Sequence, residues 1–310
     1  MNKSDRILIT GGAGFIGSHV ASELLKRKYS VVVFDNLCSG KTTNLKEIIG
    51  KTGFKFLEGD IRDESKLKAA FYGVDAVIHL AALIDITASV ADPDSTNDVN
   101  VTGTLNVLRE TARCKARRLV FASSTAVYGD AKKLPIDENV IVNPISPYAA
   151  SKLAGEAYCK AFTGSYNLST VVLRFFNVYG PRSEKSPYCG VITKFLQQAN
   201  KGETLKIFGD GKQTRDFIHV EDIVEALILA METQGVDGET FNICTGTPTS
   251  INDLARAVQV ATKKELPVAH TTARQGEIKF SYGDPSKAEE KLHFKAKIPL
   301  SEGLSSLIKG

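Results

Sequence analysis

Tyr148 and Lys152 stand four residues apart in Pro147-Tyr148-Ala149-Ala150-Ser151-Lys152, at the start of a helical pattern. That spacing is close to one helical turn, so both side chains share a face. A free phenol has a pKa near ~10 and is a poor base at neutral pH. An adjacent ammonium favours the phenolate. Lowering the pKa by about three units requires roughly 4 kcal/mol of differential stabilisation, which a desolvated cleft can supply. Tyrosine and lysine at this spacing also occur on exposed helices, so the reading leans on a third residue. Ser124, in Ala122-Ser123-Ser124-Thr125, closes an apolar run. A hydroxyl there can share the proton of a substrate oxygen.

A second constellation lies near the N-terminus. Thr10-Gly11-Gly12-Ala13-Gly14-Phe15-Ile16-Gly17 follows an apolar run and opens a helical one, with Gly11, Gly14 and Gly17 in G-x-x-G-x-x-G spacing. Gly11 permits a tight turn, Gly14 lets a pyrophosphate approach the backbone, and Gly17 lets helix and strand pack closely. The helix N-terminus adds amide donors and a favourable dipole. Such a turn can be purely structural, and its surroundings decide. Asp35 ends the next apolar run, 18 residues beyond Gly17, where a carboxylate can accept from an adenosine ribose. Its charge repels a 2′-phosphate, so the expected cofactor is NAD rather than NADP. Asp60, in Gly59-Asp60-Ile61, is either the acceptor for an adenine amino group or a plain turn aspartate.

The elements that must position these groups alternate. Apolar runs at 6–10, 30–34, 55–57, 76–80, 118–121 and 170–173 read as strands. Helical patterns at 14–28, 64–71, 96–113 and 147–163 separate most of them. Uninterrupted apolar strands suit a parallel sheet covered on both faces. The fold class is α/β, a doubly wound parallel (Rossmann) sheet, whose carboxyl edge lines the ligand crevice. After Arg174 the rhythm breaks into loops at 177–190 and 202–211, then a helix at 221–232, a strand at 239–244 and a helix at 250–262. Residues 1–176 are expected to form the NAD-binding domain and 177–310 mainly a smaller substrate-binding lobe, with segments near 217–245 returning to the first.

Composition narrows the class. The 310 residues are 43% hydrophobic and 24% charged, with 39 basic against 35 acidic residues for a net charge of +4. That is ordinary for a globular protein and too mild for a nucleic-acid partner; the densest basic stretch, 113–118, reads as a solvated helix end. No apolar run reaches membrane-spanning length and no signal-peptide pattern opens the chain, so a cytoplasmic protein is expected. Five scattered cysteines without a CxxC pair, and five scattered histidines, indicate free thiols and no metal.

Several further motifs stand in order: His79-Leu80-Ala81-Ala82, Val99-Asn100-Val101-Thr102-Gly103-Thr104, Ser123-Ser124-Thr125-Ala126-Val127-Tyr128-Gly129, Arg174-Phe175-Phe176-Asn177-Val178-Tyr179-Gly180-Pro181 and Arg215-Asp216-Phe217-Ile218-His219-Val220. With the glycine turn and Tyr148-x-x-x-Lys152, this ordered set resembles the extended short-chain dehydrogenase/reductases that act on nucleotide sugars, especially the UDP-galactose 4-epimerase-like branch. The resemblance runs from about residue 6 to residue 308. It implies that Tyr148 takes the proton of the sugar 4-hydroxyl, that Lys152 holds the nicotinamide ribose, and that Ser124 bridges to the sugar oxygen. It places Phe15, Ile16, Asn36, Ile61, Leu80, Ala81, Ala82, Asn100, Ser123 and Phe175 against the cofactor.

For the substrate it implies Asn177, Arg215 and Arg274 at a nucleoside diphosphate, guanidinium forks being suited to phosphate. It implies Phe208 stacked on the base, Val191 in a segment reaching the uracil, and Glu277 on the ribose. Aspartate is frequent at that last position, so Glu277 is a mild departure. Dehydratases and decarboxylases of this scaffold carry an acid just before the Val-Tyr-Gly step; here stand Thr125 and Ala126, which favours epimerisation. Ser281 aligns with a gatekeeper that is tyrosine in strict UDP-galactose epimerases, and its small size opens space for an acetamido group. The expectation is a UDP-sugar 4-epimerase, with UDP-glucuronate epimerisation, dehydration or decarboxylation, or a non-catalytic NAD-binding regulator as alternatives. The resemblance also implies a homodimer through helices near 97–113 and 147–163.

Overall fold

In the first strand, Ile7 and Ile9 point to one side and Leu8 to the other, and all three are fully buried. That alternation means two covered faces. The computed structural model describes residues 5–183, 190–273 and 278–308. Its main sheet contains β1 (Arg6–Thr10), β2 (Ser30–Asp35), β3 (Phe54–Glu58), β4 (Ala76–His79), β5 (Arg118–Ser124) and β6 (Thr170–Phe175). The short strands β7 (Asn177–Tyr179), β8 (Leu205–Phe208) and β9 (Thr214–His219) lie outside it, whereas β10 (Thr240–Ile243) returns to pair with β6. The sheet order is β3-β2-β1-β4-β5-β6-β10, all parallel. The order reverses between β1 and β4, which opens a crevice at the strands' carboxyl ends. This is the doubly wound fold expected from the alternation.

Helices cover both faces. Helix α1 (Phe15–Lys26) places Val20, Ala21 and Leu24 on the Ile7 side, while α2 (Glu64–Ala70) places Leu67 and Ala70 on the Leu8 side. Helix α3 (Ile86–Ala91) and α4 (Pro93–Asn97) lead into α5 (Thr104–Arg113), which packs Val107 and Leu108 with α2. Helix α6 (Pro147–Tyr166) adds Cys159 and Phe162 to that face. Each fully buried aliphatic side chain contributes roughly 1.5–3 kcal/mol.

The C-terminal part builds its own core from α7 (Val191–Lys201), β8, β9 and α9 (Ile251–Thr262), around Phe195, Leu205, Ile207, Phe217 and Leu254. Between them, α8 (Val220–Glu232) returns to the main sheet with Ile223, Ala226 and Leu227 on the Ile7 side. The strand β11 (Pro248–Ser250) pairs with β9, and β12 (Val268–Thr271) with β8. Helix α10 (Ser286–Leu292) packs Ala288 and Leu292 on the main sheet's core, and α11 (Leu300–Ile308) puts Leu304 into the lobe. No helix among the described residues is long and apolar enough to cross a membrane.

The stretch expected as one helix over 96–113 is divided. One π turn, Asp98–Gly103, lies between α4 and α5. Such wide turns recur where a side chain has a task that regular geometry would misdirect. Here Asn100 is buried, receives Leu83 N–H at 2.7 Å, and donates to Leu83 O at 2.8 Å and Ser151 Oγ at 2.9 Å. It ties the segment after β4 to α6.

Helix α6 lies unusually close to β5, because a Cβ at Gly155 would stand 2.5 Å from Phe121 Cζ. Its start is fixed by Ser146 Oγ, which accepts from Ala149 N at 3.2 Å, with Pro147 in the first turn. Gly155→Ala is therefore expected to push α6 off the sheet and lower stability by about 1–3 kcal/mol. Thermal unfolding would register this as a lower Tm; an unchanged Tm would show that Phe121 can yield.

Candidate active site

The glycine turn shows why its residues are glycines. Gly11 is held at φ +70°, and a Cβ there would stand 2.7 Å from Ala81 N. A Cβ on Gly17 would lie 2.3 Å from Gly11 O. Neither position admits a side chain. At Gly14 a Cβ would meet only Gly11 O, at 3.2 Å, so that residue is far less crowded than Gly11 or Gly17. Helix α1 begins at Gly14 without a side-chain cap, whereas α2, α3, α4 and α6 are capped by Asp63, Asp85, Asp92 and Ser146. The first amides of α1 are thus left for an anion.

Gly11, Gly14, Phe15, Ile16 and Gly17 line a cleft of about 1080 Å³ along the carboxyl edge of the sheet. That slightly exceeds the usual range for one small-molecule site. Asp35 and Asn36 line it beyond β2. Asp35 Oδ2 accepts from Ala13 N at 2.9 Å and Oδ1 from Leu37 N at 2.7 Å. Burial raises its pKa, and those two backbone bonds hold it down. A carboxylate has about four acceptor sites, so two remain for ribose hydroxyls. The cradle fits a dinucleotide.

Asp60 differs from the expectation for a waiting adenine acceptor. Its Oδ1 accepts from Arg62 N and Nε, both at 2.9 Å. Its Oδ2 accepts from Asn36 Nδ2 and Arg62 Nη2, both at 2.8 Å. All four acceptor sites are taken. The Arg62 guanidinium, aided by Asn36, holds the carboxyl well below its ordinary range against the opposing effect of burial. Arg62 itself lines the cleft and went unremarked in the sequence, where Asp60-Ile61-Arg62 was the available signal.

Leu80, Ala81, Ala82 and Ile61 also line the cleft. Asn100 does not line it; its side-chain amide is spent on Leu83 and Ser151, which braces the lining segment. At the other end Ser123, Ser124, Tyr148, Lys152 and Phe175 line the same cavity. Ser124 accepts from Ala126 N at 3.2 Å, which orients its hydroxyl. Burial raises the Tyr148 phenol, and a hydrogen bond with Ser124 opposes this. Tyr148 N donates to Ser89 Oγ at 3.2 Å, seating α3 beside the tyrosine. The Lys152 ammonium donates to Ala122 O at 2.9 Å and lies 5.0 Å from the centre of the Phe121 ring. Burial lowers it to about 8. Its bond is thus to the strand end rather than to the phenol.

Asn177, Arg215 and Ser281 complete the wall on the lobe side. Ser281 N donates to Thr214 O at 3.2 Å, which sets it beside β9. Val191 opens α7 and Phe208 ends β8, but neither lines the cleft; Gly190, the uncapped N-cap of α7, does so instead. Phe208 is 39% exposed. Arg274 and Glu277 lie outside the described residues. Sequence reasoning also missed Arg182, which lines the cleft and donates from Nη1 to Ser18 Oγ at 3.0 Å. It lies just past Gly180-Pro181, in a turn without helical or strand periodicity to flag it. No group of His, Cys, Asp or Glu able to hold a metal occurs among the described residues.

A parallel sheet whose carboxyl edge brings a glycine turn, the Asp35 carboxylate and a serine-tyrosine-lysine set into one cavity defines a dinucleotide-dependent protein of the short-chain dehydrogenase type. Residues 7–244 match the NAD dependent epimerase/dehydratase family, and the chain belongs to that family. NAD is the cofactor its cradle takes. A UDP-N-acetylglucosamine 4-epimerase from Methanobrevibacter ruminantium superposes with TM-score 0.95 at 36% identity, covering 99% of this chain and 98% of that one. The UDP-glucose 4-epimerase of Thermotoga maritima superposes with TM-score 0.92 at 38% identity, covering 98% and 97%. A UDP-N-acetyl-alpha-D-glucosaminuronate decarboxylase from Bacillus cytotoxicus is 33% identical over 98% of this chain and 96% of its own length.

Proposed function

We propose that the protein catalyses NAD-dependent 4-epimerisation of a UDP-hexose, UDP-glucose/UDP-galactose and also UDP-GlcNAc/UDP-GalNAc. One observation carries the choice among reactions. Among the described residues lining the cleft, the only carboxylates are Asp35 and Asp60. They lie at β2 and β3, three and four strands from Ser124 on β5, or about 14 and 19 Å at the usual strand spacing. No acid among those residues stands beside Tyr148 to take a second proton, as dehydration would require. Thr125 and Ala126 line the cleft where such an acid would be needed. The similarity to two 4-epimerases points the same way, while that to a decarboxylase keeps the other reaction as an outcome of the test.

When bound, NAD supplies a reversible hydride acceptor and a positive ring, which keeps the net reaction redox-neutral. The chain's own residues handle protons and orientation. Tyr148 accepts the proton of the sugar 4-hydroxyl, and the Ser124 hydroxyl shares the sugar oxygen while that proton moves. Lys152 supplies the fixed positive charge that favours the phenolate. Arg215 and Asn177 hold the diphosphate, so the 4-keto sugar can turn over without leaving. Tyr148 then returns the proton to the oxygen presented on the opposite face.

Incubation with a panel of UDP-sugars, followed by separation of the epimers, tests this reading. Interconversion at C4 supports it; release of carbon dioxide or water from a substrate in the panel would replace it. The sugar range rests on Ser281. Ser281→Tyr is expected to cut turnover of UDP-GalNAc by more than about 10-fold, since an extra ring in a filled pocket costs roughly 1–3 kcal/mol. UDP-galactose turnover should persist. Equal loss for both sugars would show that Ser281 does not discriminate.

A further inference from the structure

Helix α6 carries Tyr148, Lys152 and Glu156 at successive fourth positions, so phenol, ammonium and carboxylate run down one buried face. Each meets the end of β5. Ser124 hydrogen-bonds the Tyr148 phenol, Lys152 Nζ donates to Ala122 O, and Ser123 Oγ donates to Glu156 Oε1. Arg174 grips the carboxylate from β6, with Nε donating to Oε1 at 2.9 Å and Nη2 to Oε2 at 2.6 Å. Its Nη1 donates to Tyr128 Oη at 2.8 Å, and that hydroxyl donates to Asn242 Oδ1 at 2.8 Å. Glu156 and Arg174 are each 7% exposed. A buried pair of this kind is typically no more stabilising than a well-packed apolar one. Its charge invites another explanation.

We infer that Glu156 is a positioning residue for the proton chemistry, its fixed carboxylate one turn below Lys152 keeping the ammonium charged and directed at the end of β5. The inference rests on the roles given above to Tyr148 and Lys152. The other titratable groups around Lys152 are neutral or already paired. His79, on β4, is lowered to about 3 by burial, and its ring nitrogens bond the hydroxyls of Thr10 and Thr104. Cys159, on α6, is kept a neutral thiol because burial pushes it up. Arg174, on β6, stands behind Glu156 and bonds it directly. Burial lowers Lys152 to about 8, and Cys159 and Glu156 oppose that. With Cys159 neutral, Glu156 is the standing anion among the described groups acting on Lys152. Removing it makes the ammonium harder to keep in a desolvated place, so its titration moves down in pH.

The test is an NMR titration of the purified NAD-loaded protein with ε-13C-labelled lysine, the Lys152 signal assigned by its absence in Lys152→Met. Glu156→Gln is expected to lower the Lys152 midpoint by about one pH unit or more, with the alkaline limb of kcat moving down alongside. Glu156→Asp, which keeps the charge, should hold the midpoint within roughly half a unit. Because Glu156→Gln leaves Arg174 without a counter-charge, the double variant Glu156→Gln/Arg174→Gln provides a second route, and the midpoint should fall there too. An unmoved midpoint in either folded variant overturns the inference. The catalytic reading fails separately, through retained turnover in Tyr148→Phe, which leaves the Lys152 titration still informative.

Discussion

Tyr148→Phe is expected to lower kcat by about 10³-fold, the scale of a positioned acid-base group, while leaving NAD bound and the fold intact. The substitution removes one oxygen from a ring that is only 8% exposed, so the space it occupies stays filled. The hydroxyl's bond with Ser124 is lost, but Ser124 keeps the Ala126 amide that orients it. The helix start is untouched, since it depends on Ser146 and Pro147. The Tyr148 backbone amide still reaches Ser89 Oγ. On the proposed mechanism, what disappears is the acceptor for the sugar proton. Neither Ser124, a weaker base, nor Lys152, protonated and bonded to Ala122 O, can replace it. Steady-state kinetics, with NAD measured after denaturation, separates the two effects. Turnover within about ten-fold of the parent would mean that proton transfer runs through another group.

Gly17→Ala is expected to weaken NAD binding by about 10²-fold or more and to cost roughly 1–3 kcal/mol of stability, the range for forcing an extra methyl into a packed site. The added Cβ would stand 2.3 Å from Gly11 O and 2.6 Å from Gly12 Cα. Both are backbone atoms, so no rotamer change relieves the clash. The turn cannot retreat freely either, because Gly11 already lies against the backbone of Ala81 and Gly11 N donates to Phe34 O at 2.9 Å. Relief must come from moving the turn away from α1, which misaims the uncapped first amides of that helix, the anion site expected for the pyrophosphate. Gly14→Ala is the control, since its Cβ would meet only Gly11 O, at 3.2 Å. Gly11 O need give only a few tenths of an ångström there, so that variant should lose much less stability than Gly17→Ala and lose NAD mainly through crowding of the ligand. Calorimetric titration with NAD and thermal unfolding of both variants distinguish the cases. Parental affinity and Tm in Gly17→Ala would show the turn to be more pliable than its contacts imply.

Features governed by short stretches of chain are legible in the amino-acid sequence alone. The glycine turn and the strand-helix alternation are local: they depend on backbone freedom at a few positions and on burial of alternating side chains. Tyr148 and Lys152 share a helix face because of their spacing, and the carboxyl edge follows from strands that must run parallel. Asp35 was readable for the same reason, as the residue where β2 stops. What surrounds each polar atom was not. Asp60 stands where expected, yet its four acceptor sites are occupied by Asn36 and Arg62, one of them from a distant loop. Asn100 became a brace because a π turn aims it at Leu83 and Ser151. Glu156 reads in sequence as one more helix carboxylate, and only the approach of β5 and β6 shows it gripped by Ser123 and Arg174. Val191 lies off the cleft because it packs against the lobe's own core, and Phe208, at the end of β8, is exposed away from the cleft lining. Residue order carries the backbone's preferences, but hydrogen-bond capacity is finite and shared across the chain, so which donor claims which acceptor is decided only when distant segments meet.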